Sequence, residues 1–135
     1  MSVIPEEFLD MLQSKALMNV ATIGPKGEPQ VSATLFGWNG TSIFFTMNKI
    51  RQKRRNLERE PRIALLIVDP AQAFRSLEIR GKARISDDID YRFTNQLSQK
   101  YSGRDATTDL LPGEERVVVF IEPERAIPFP PLASK

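Results

Sequence analysis

Two turn signals placed close together constrain this fold more than any other feature. Gly24-Pro25-Lys26-Gly27 and Asn39-Gly40 cut the chain into runs too short for core helices. The second is the strongest two-residue hairpin signal, because a tight primed turn needs residues that tolerate positive φ. Leu17 to Ile23 therefore reads as one strand. Pro29 to Trp38 reads as the next, with Val31, Ala33 and Leu35 alternating against Gln30, Ser32 and Thr34, and Ser42-Ile43-Phe44-Phe45-Thr46 is a third. Period-two alternation between turn residues marks half-buried strands, and three of them in succession make a meander.

The rest of the chain keeps this β character. Pro5-Glu6-Glu7 opens a short helix whose stripe is Phe8, Leu9 and Leu12, running to about residue 14. Residues 48–62 form a basic helix that Pro61 ends by biasing its predecessor out of helical geometry. Arg62 to Val68 is almost wholly apolar and reads as a strand buried on both faces. After the loop Asp69-Pro70-Ala71-Gln72, Arg75 to Ile85 is a long strand with a bend or bulge at Gly81. Asp87 or Asp88 caps a helix to about Tyr101, residues 103–115 form a loop, and Arg116 to Ile121 is a final strand before a tail over 126–135. Six strands with short turns and few helices predict a mainly β, antiparallel barrel rather than a doubly wound α/β sheet. The 135 residues make one domain, 1–135. No glycine-rich dinucleotide fingerprint is present.

Composition narrows the chemistry. The chain has no cysteine and no histidine, which removes disulfides, thiolate nucleophiles, Ser-His catalysis and the usual zinc or haem ligation. An enzyme built from this chain borrows its reactive atoms from a bound coenzyme, and the protein supplies orientation and electrostatics. No apolar run reaches the length of a membrane span, and Met1 to Glu7 lacks a signal layout, so the expected compartment is the cytoplasm.

Net charge is only +2, yet residues 49–62 hold seven Lys/Arg against two Glu, so that stretch is +5 and the remainder −3. The order of charge opposes the helix dipole. A helix N-terminus favours acids, but here Lys49, Arg51 and Lys53 lead and Glu58 and Glu60 trail. A bound anion relieves this arrangement, and a strand-to-helix junction with free N–H groups and added cations is what a phosphate needs. At about 100° per residue, Ile50 and Leu57 share the inward face, Lys49, Lys53 and Asn56 lie along one flank, and Arg51, Arg55 and Glu58 along the other. The plainer alternative is a solvated charged helix.

These stretches resemble a known family. Ile43-Phe44-Phe45-Thr46 followed by Arg51 to Leu66 is similar to the flavin-phosphate segment of the pyridoxamine 5'-phosphate oxidase-like split β-barrel proteins. Gly27 to Ser32 and Phe74 to Ala83 resemble that family's opening hairpin and later long strand. Lys100-Tyr101-Ser102-Gly103 and Gly113 to Val118 resemble its flavin/deazaflavin oxidoreductase branch.

The resemblance implies a six-stranded Greek-key split barrel that binds the deazaflavin coenzyme F420, or FMN, and transfers hydride to or from a small organic substrate. It implies that Lys53 contacts the coenzyme phosphate, with Arg51, Gln52 and Asn56 beside it. Gln30 and Ser32 would lie under the ring, and Thr46 and Met47 would make contacts at the strand end. Ser76 would arrive from the partner subunit of a homodimer whose sites lie at the interface. The C-terminal His and Arg residues of true pyridoxamine phosphate oxidases have no counterpart here. Arg75 and Arg80 are open to two readings, an acidic coenzyme tail or solvent. Trp38 and Phe36 are open to a substrate pocket or to packing. Two rivals stand beside the oxidoreductase. One is a nucleic-acid-binding module, against which the absence of aromatic residues from 48–62 counts. The other is a coenzyme-binding protein without turnover.

Overall fold

Both turn signals close hairpins, with Gly27 at φ 81° and Gly40 at φ 93°. In the computed structural model, which describes residues 3–132, β1 (Met18–Ile23) pairs with β2 (Pro29–Thr34) from Met18↔Thr34 to Ile23↔Pro29. The expected single strand from Pro29 to Trp38 is broken. Phe36 enters the main core, Leu35 packs instead with Phe44, Leu97 and Val118, and a Cβ at Gly37 would lie 2.3 Å from the Phe44 ring. The chain therefore leaves the sheet after Thr34. It returns as a two-residue β3 (Gly37–Trp38) against β4 (Ile43–Asn48).

That break makes seven strands where six were expected. With β5 (Arg62–Val68), β6 (Ser76–Asp87) and β7 (Arg116–Phe129), the antiparallel order is β2-β1-β5-β6-β7-β4-β3, a split β-barrel. The long pair β6/β7 is bent where its register shifts at Arg80/Gly81 and Glu124 is left as the extra residue. Gly81 is required there, because a Cβ would approach the Glu122 carbonyl oxygen to 2.7 Å. Residues 126–129, expected in a tail, extend β7 instead. They pair with the first third of β6, from Ile79↔Ala126 down to Ser76↔Phe129, and so supply partners for backbone groups that β6 would otherwise leave open. Residues 133–135 of the expected tail lie outside the described residues.

The core lies inside the barrel, where Val20, Leu65, Ile67, Leu77, Ile79, Phe45, Val119 and Ile121 are all buried. A 3-10 turn (Glu6–Phe8) and α1 (Leu9–Leu12) cover its end with Phe8, Met11 and Leu12. β5 is buried on one face only, contrary to the sequence expectation. Ile63, Leu65 and Ile67 point inward, while Leu66 on the outer face is 38% exposed. Two more helices complete the chain, α2 (Gln52–Arg59) and α3 (Arg92–Ser102). Asp88 caps α3 as expected, its carboxylate accepting from the N–H groups of Phe93 and Thr94 at 2.9 Å each. Among the described residues, no helix is long and apolar enough to cross a membrane.

Candidate functional site

The strongest site lies where β4 hands over to α2. β4 ends at Asn48, whose side chain accepts from the Ile50 N–H, and the helix starts at Gln52 with Arg51 at its N-cap. No side chain caps this end. The N–H groups of Gln52 and Lys53 have no protein acceptor among the described residues. They open on a cleft of about 520 Å³, walled on one side by β2 and on the other by the end of β4 and the start of α2.

Partners sort the seven basic residues. Lys49 lies before the helix and pairs with Asp87 at 3.5 Å and Glu115 at 3.6 Å. Arg54 pairs with Glu58 at 2.7 Å and donates to the Lys49 carbonyl. Arg55 holds the Ile50 carbonyl and the Gln52 side chain, Arg59 donates to the Ile23 carbonyl, and Arg62 pairs with Glu60. Only Arg51 and Lys53 line the cleft, and no carboxylate pairs with either among the described residues. The Lys53 ammonium donates to the Ser32 hydroxyl at 3.0 Å and lies 5.4 Å from the Phe45 ring centroid. Burial, reinforced by the Arg51 charge, lowers its pKa below the ordinary lysine value. Because the helix starts late, Ile50 is 73% exposed rather than inward, and Arg51 joins Lys53 instead of the opposite flank.

A polar floor supports these cations. Cross-strand pairing puts Gln30 beside Thr22 and Ser32 beside Val20, so the polar side of β2 shares the inner face of β1. Asn56 fixes that floor. It is fully buried, donates to Gln30 Oε1 at 2.7 Å and Thr22 Oγ1 at 3.0 Å, and accepts from Gln52 Nε2 at 3.0 Å. Its side chain is therefore occupied in holding Gln30, and it does not line the cleft. Gln30, Ser32, Thr46, Met47, Arg51, Gln52 and Lys53 all do. Ser76 lies elsewhere, at the start of β6 between Val68 and Phe129.

One residue that the sequence reading did not single out also lines the cleft. Arg116, at the start of β7, donates to Thr46 Oγ1 at 3.2 Å and Thr94 Oγ1 at 3.0 Å and pairs with Glu114 at 2.7 Å. An arginine opening an otherwise apolar strand was the available signal, but only the Asn48↔Arg116 pairing brings it to the site. Two other candidates take structural roles. Arg75 is held by Asp10 and Asp69 and stacks 4.5 Å from the Phe8 ring centroid, and Arg80 pairs with Glu78 at 2.7 Å. Phe36 is core, and Tyr101 ties α3 to the barrel by donating to the Ala16 carbonyl at 2.7 Å.

A strand-to-helix junction with two cations that form no salt bridge among the described residues, and with free N–H groups, suits a phosphate. The pyridoxamine 5'-phosphate oxidase family matches residues 4–127. The chain belongs to that family. A solved structure named F420 reductase is 31% identical, with 91% of this chain and 98% of that one covered at a TM-score of 0.80. A conserved hypothetical protein of Mycobacterium tuberculosis is 26% identical, with coverages of 93% and 84% and a TM-score of 0.76. General Stress Protein 26 of Bacillus anthracis, 17% identical with 94% of each chain covered and a TM-score of 0.72, shares the fold. No curated protein matches the chain.

Proposed function

We propose that this chain is a flavin-type oxidoreductase that binds F420 or FMN through its phosphate and exchanges hydride with a small organic molecule. The observation that carries the reading is Lys53, a partly desolvated ammonium beside Arg51 that no carboxylate pairs with among the described residues. A phosphate there supplies the missing counter-charge and accepts from the N–H groups of Gln52 and Lys53. When bound, the coenzyme contributes the two-electron chemistry. The chain's share is orientation: Ser32 and Lys53 hold one another, and Asn56 fixes Gln30 at the cleft wall. The likeness to a structure named F420 reductase favours the deazaflavin.

The same reading includes a homodimer. The outer face of the sheet carries an uncovered apolar patch beside the Arg80–Glu78 pair, with Val31 72%, Phe129 54% and Leu66 38% exposed, and with the small Ala21, Ala33 and Ala64 on the same face. Ser76 shares that face with Val68 and Phe129, so a second copy placed on it could receive Ser76 near its own cleft. Titration with F420 and with FMN, followed by coenzyme fluorescence, tests the proposal. Saturable binding to one coenzyme at one site per chain is expected. No binding to either, with salt-sensitive binding to a short DNA duplex, would overturn it and make α2 a nucleic-acid contact.

A further inference from the structure

A separate cavity of about 390 Å³ lies between the end of α1, β3 and α3, and it shares no lining residue with the coenzyme cleft. Leu12, Trp38 and Leu97 give it apolar walls, and Gln13, Gln96 and Lys100 bring polar groups to them. Among the described residues, no carboxylate lines it. Gln96 and Lys100 stand four residues apart and so share one face of α3.

The polar groups are largely unspent. The Lys100 ammonium carries three N–H donors. One goes to the Phe36 carbonyl at 2.9 Å, and the Phe36 and Tyr101 ring centroids lie 4.1 and 5.0 Å from the nitrogen. The other two donors have no protein acceptor, and neither glutamine side chain has a hydrogen-bond partner, among the described residues. Lys100 is half-buried, and that burial lowers its pKa to about 8 with no carboxylate to hold it up. The condition that marks Lys53 in the coenzyme cleft, a cation partly desolvated and left without a counter-ion, is therefore met a second time in a different place.

We propose that this cavity is a second anion site, shaped for a small monocarboxylate with an apolar body, and that Lys100 is its counter-ion. Charge selects the class. One ammonium balances one negative charge, whereas a phosphate dianion would leave a second charge uncompensated between apolar walls. The carboxylate takes the free ammonium donors, the Gln13 and Gln96 amides stand at the rim for its remaining lone pairs, and the apolar body lies against Leu12, Trp38 and Leu97. The volume is at the low end for a small-molecule pocket, which suits a ligand with a single ring. The site stands whether or not the coenzyme reading does, because the two cavities have no lining residue in common.

The test uses the full chain without coenzyme and two probes of matched shape, phenylacetate and the neutral phenylacetamide. Trp38 is the one tryptophan of the chain and lines this cavity but not the coenzyme cleft, so its emission reports occupancy here. Phenylacetate is expected to bind about tenfold more tightly, the worth of a charged hydrogen bond made in partly desolvated surroundings. Lys100→Met keeps an apolar stem and removes the charge, and should bring phenylacetate down to the affinity of phenylacetamide. Gln96→Glu sets a carboxylate one helical turn from Lys100 and should do the same, by supplying the counter-ion from the protein. It alters an exposed side chain, so the test survives if Lys100→Met fails to fold. Equal binding of the two probes, no response to phenylacetate, or a wild-type preference in either folded variant would overturn the proposal.

Discussion

Arg75 and Lys53 look alike in the sequence, each a cation beside a strand end and each a candidate for an acidic ligand, yet the fold treats them in opposite ways. Arg75 is fully answered by the protein. Asp10 lies 2.8 Å away, Asp69 also 2.8 Å, and the Phe8 ring stacks beneath the guanidinium. Both carboxyls are held below their usual pKa, chiefly by their hydrogen bonds to Arg75. Among the described residues Lys53 finds only the Ser32 hydroxyl and the Phe45 ring, and its pKa falls. The difference teaches that local positive charge does not by itself report a ligand. What reports one is a cation that the protein partly desolvates and leaves without a counter-ion.

The largest test of this contrast is Lys53→Ala. Removing a charged hydrogen bond to phosphate should weaken FMN or F420 binding by about 10- to 100-fold, read from coenzyme fluorescence. The fold should persist, because the lysine spends no carboxylate. An unchanged affinity would move the phosphate away from α2. Arg75→Ala should do the reverse. It strips Asp10 and Asp69 of their partner and frees the N-terminal segment, so the thermal midpoint should fall by about 5–10 °C while coenzyme affinity holds. A drop in affinity without a loss of stability would return Arg75 to the site.

How much of this was legible beforehand follows from the range of the interactions. The hairpins, a bend at Gly81, a cap at Asp87 or Asp88 and a basic helix straight after a strand are signalled by neighbouring residues, and the structure has each of them, with Asp88 as the cap. The split of the second strand was not legible, because it depends on Gly37 meeting the Phe44 ring. The sorting of the basic residues was hidden for the same reason, since Lys49 is neutralised by Asp87 and Glu115, which are distant in sequence. Arg116 reaches the site through pairing between β4 and β7, a register that no local pattern encodes. The one-sided burial of β5 was misread because an apolar run looks the same whether its second face meets a helix or is left uncovered.

A smaller effect follows from pH. Lys53 has a folded pKa below its unfolded value, so the folded chain sheds this proton first and an anion bound beside it restores it. Coenzyme affinity should therefore begin to decline at a pH below the ordinary lysine value of about 10.4. In Lys53→Arg, which keeps its charge throughout, the decline should vanish. If both proteins lose affinity in parallel, another group controls binding.

The smallest effect concerns Lys100, a third way of treating a cation. Its ammonium donates to the Phe36 carbonyl at 2.9 Å and lies 4.1 Å from the Phe36 ring centroid, so among the described residues it meets a dipole and a π face but no carboxylate. Burial brings its pKa down to about 8. The sign follows from proton counting. Between this value and the unfolded value of about 10.4, the unfolded chain binds more protons than the folded one, so stability rises with pH across that window. Below it the charged form carries its full desolvation cost. The difference in thermal midpoint between the wild type and Lys100→Met should therefore shift in favour of the wild type as pH is raised through that window. A flat difference would mean that the Phe36 carbonyl and ring compensate the charge as fully as Asp10 and Asp69 compensate Arg75. A dipole would then serve as well as a counter-ion, and the argument that singles out Lys53 would need more than the absence of a carboxylate.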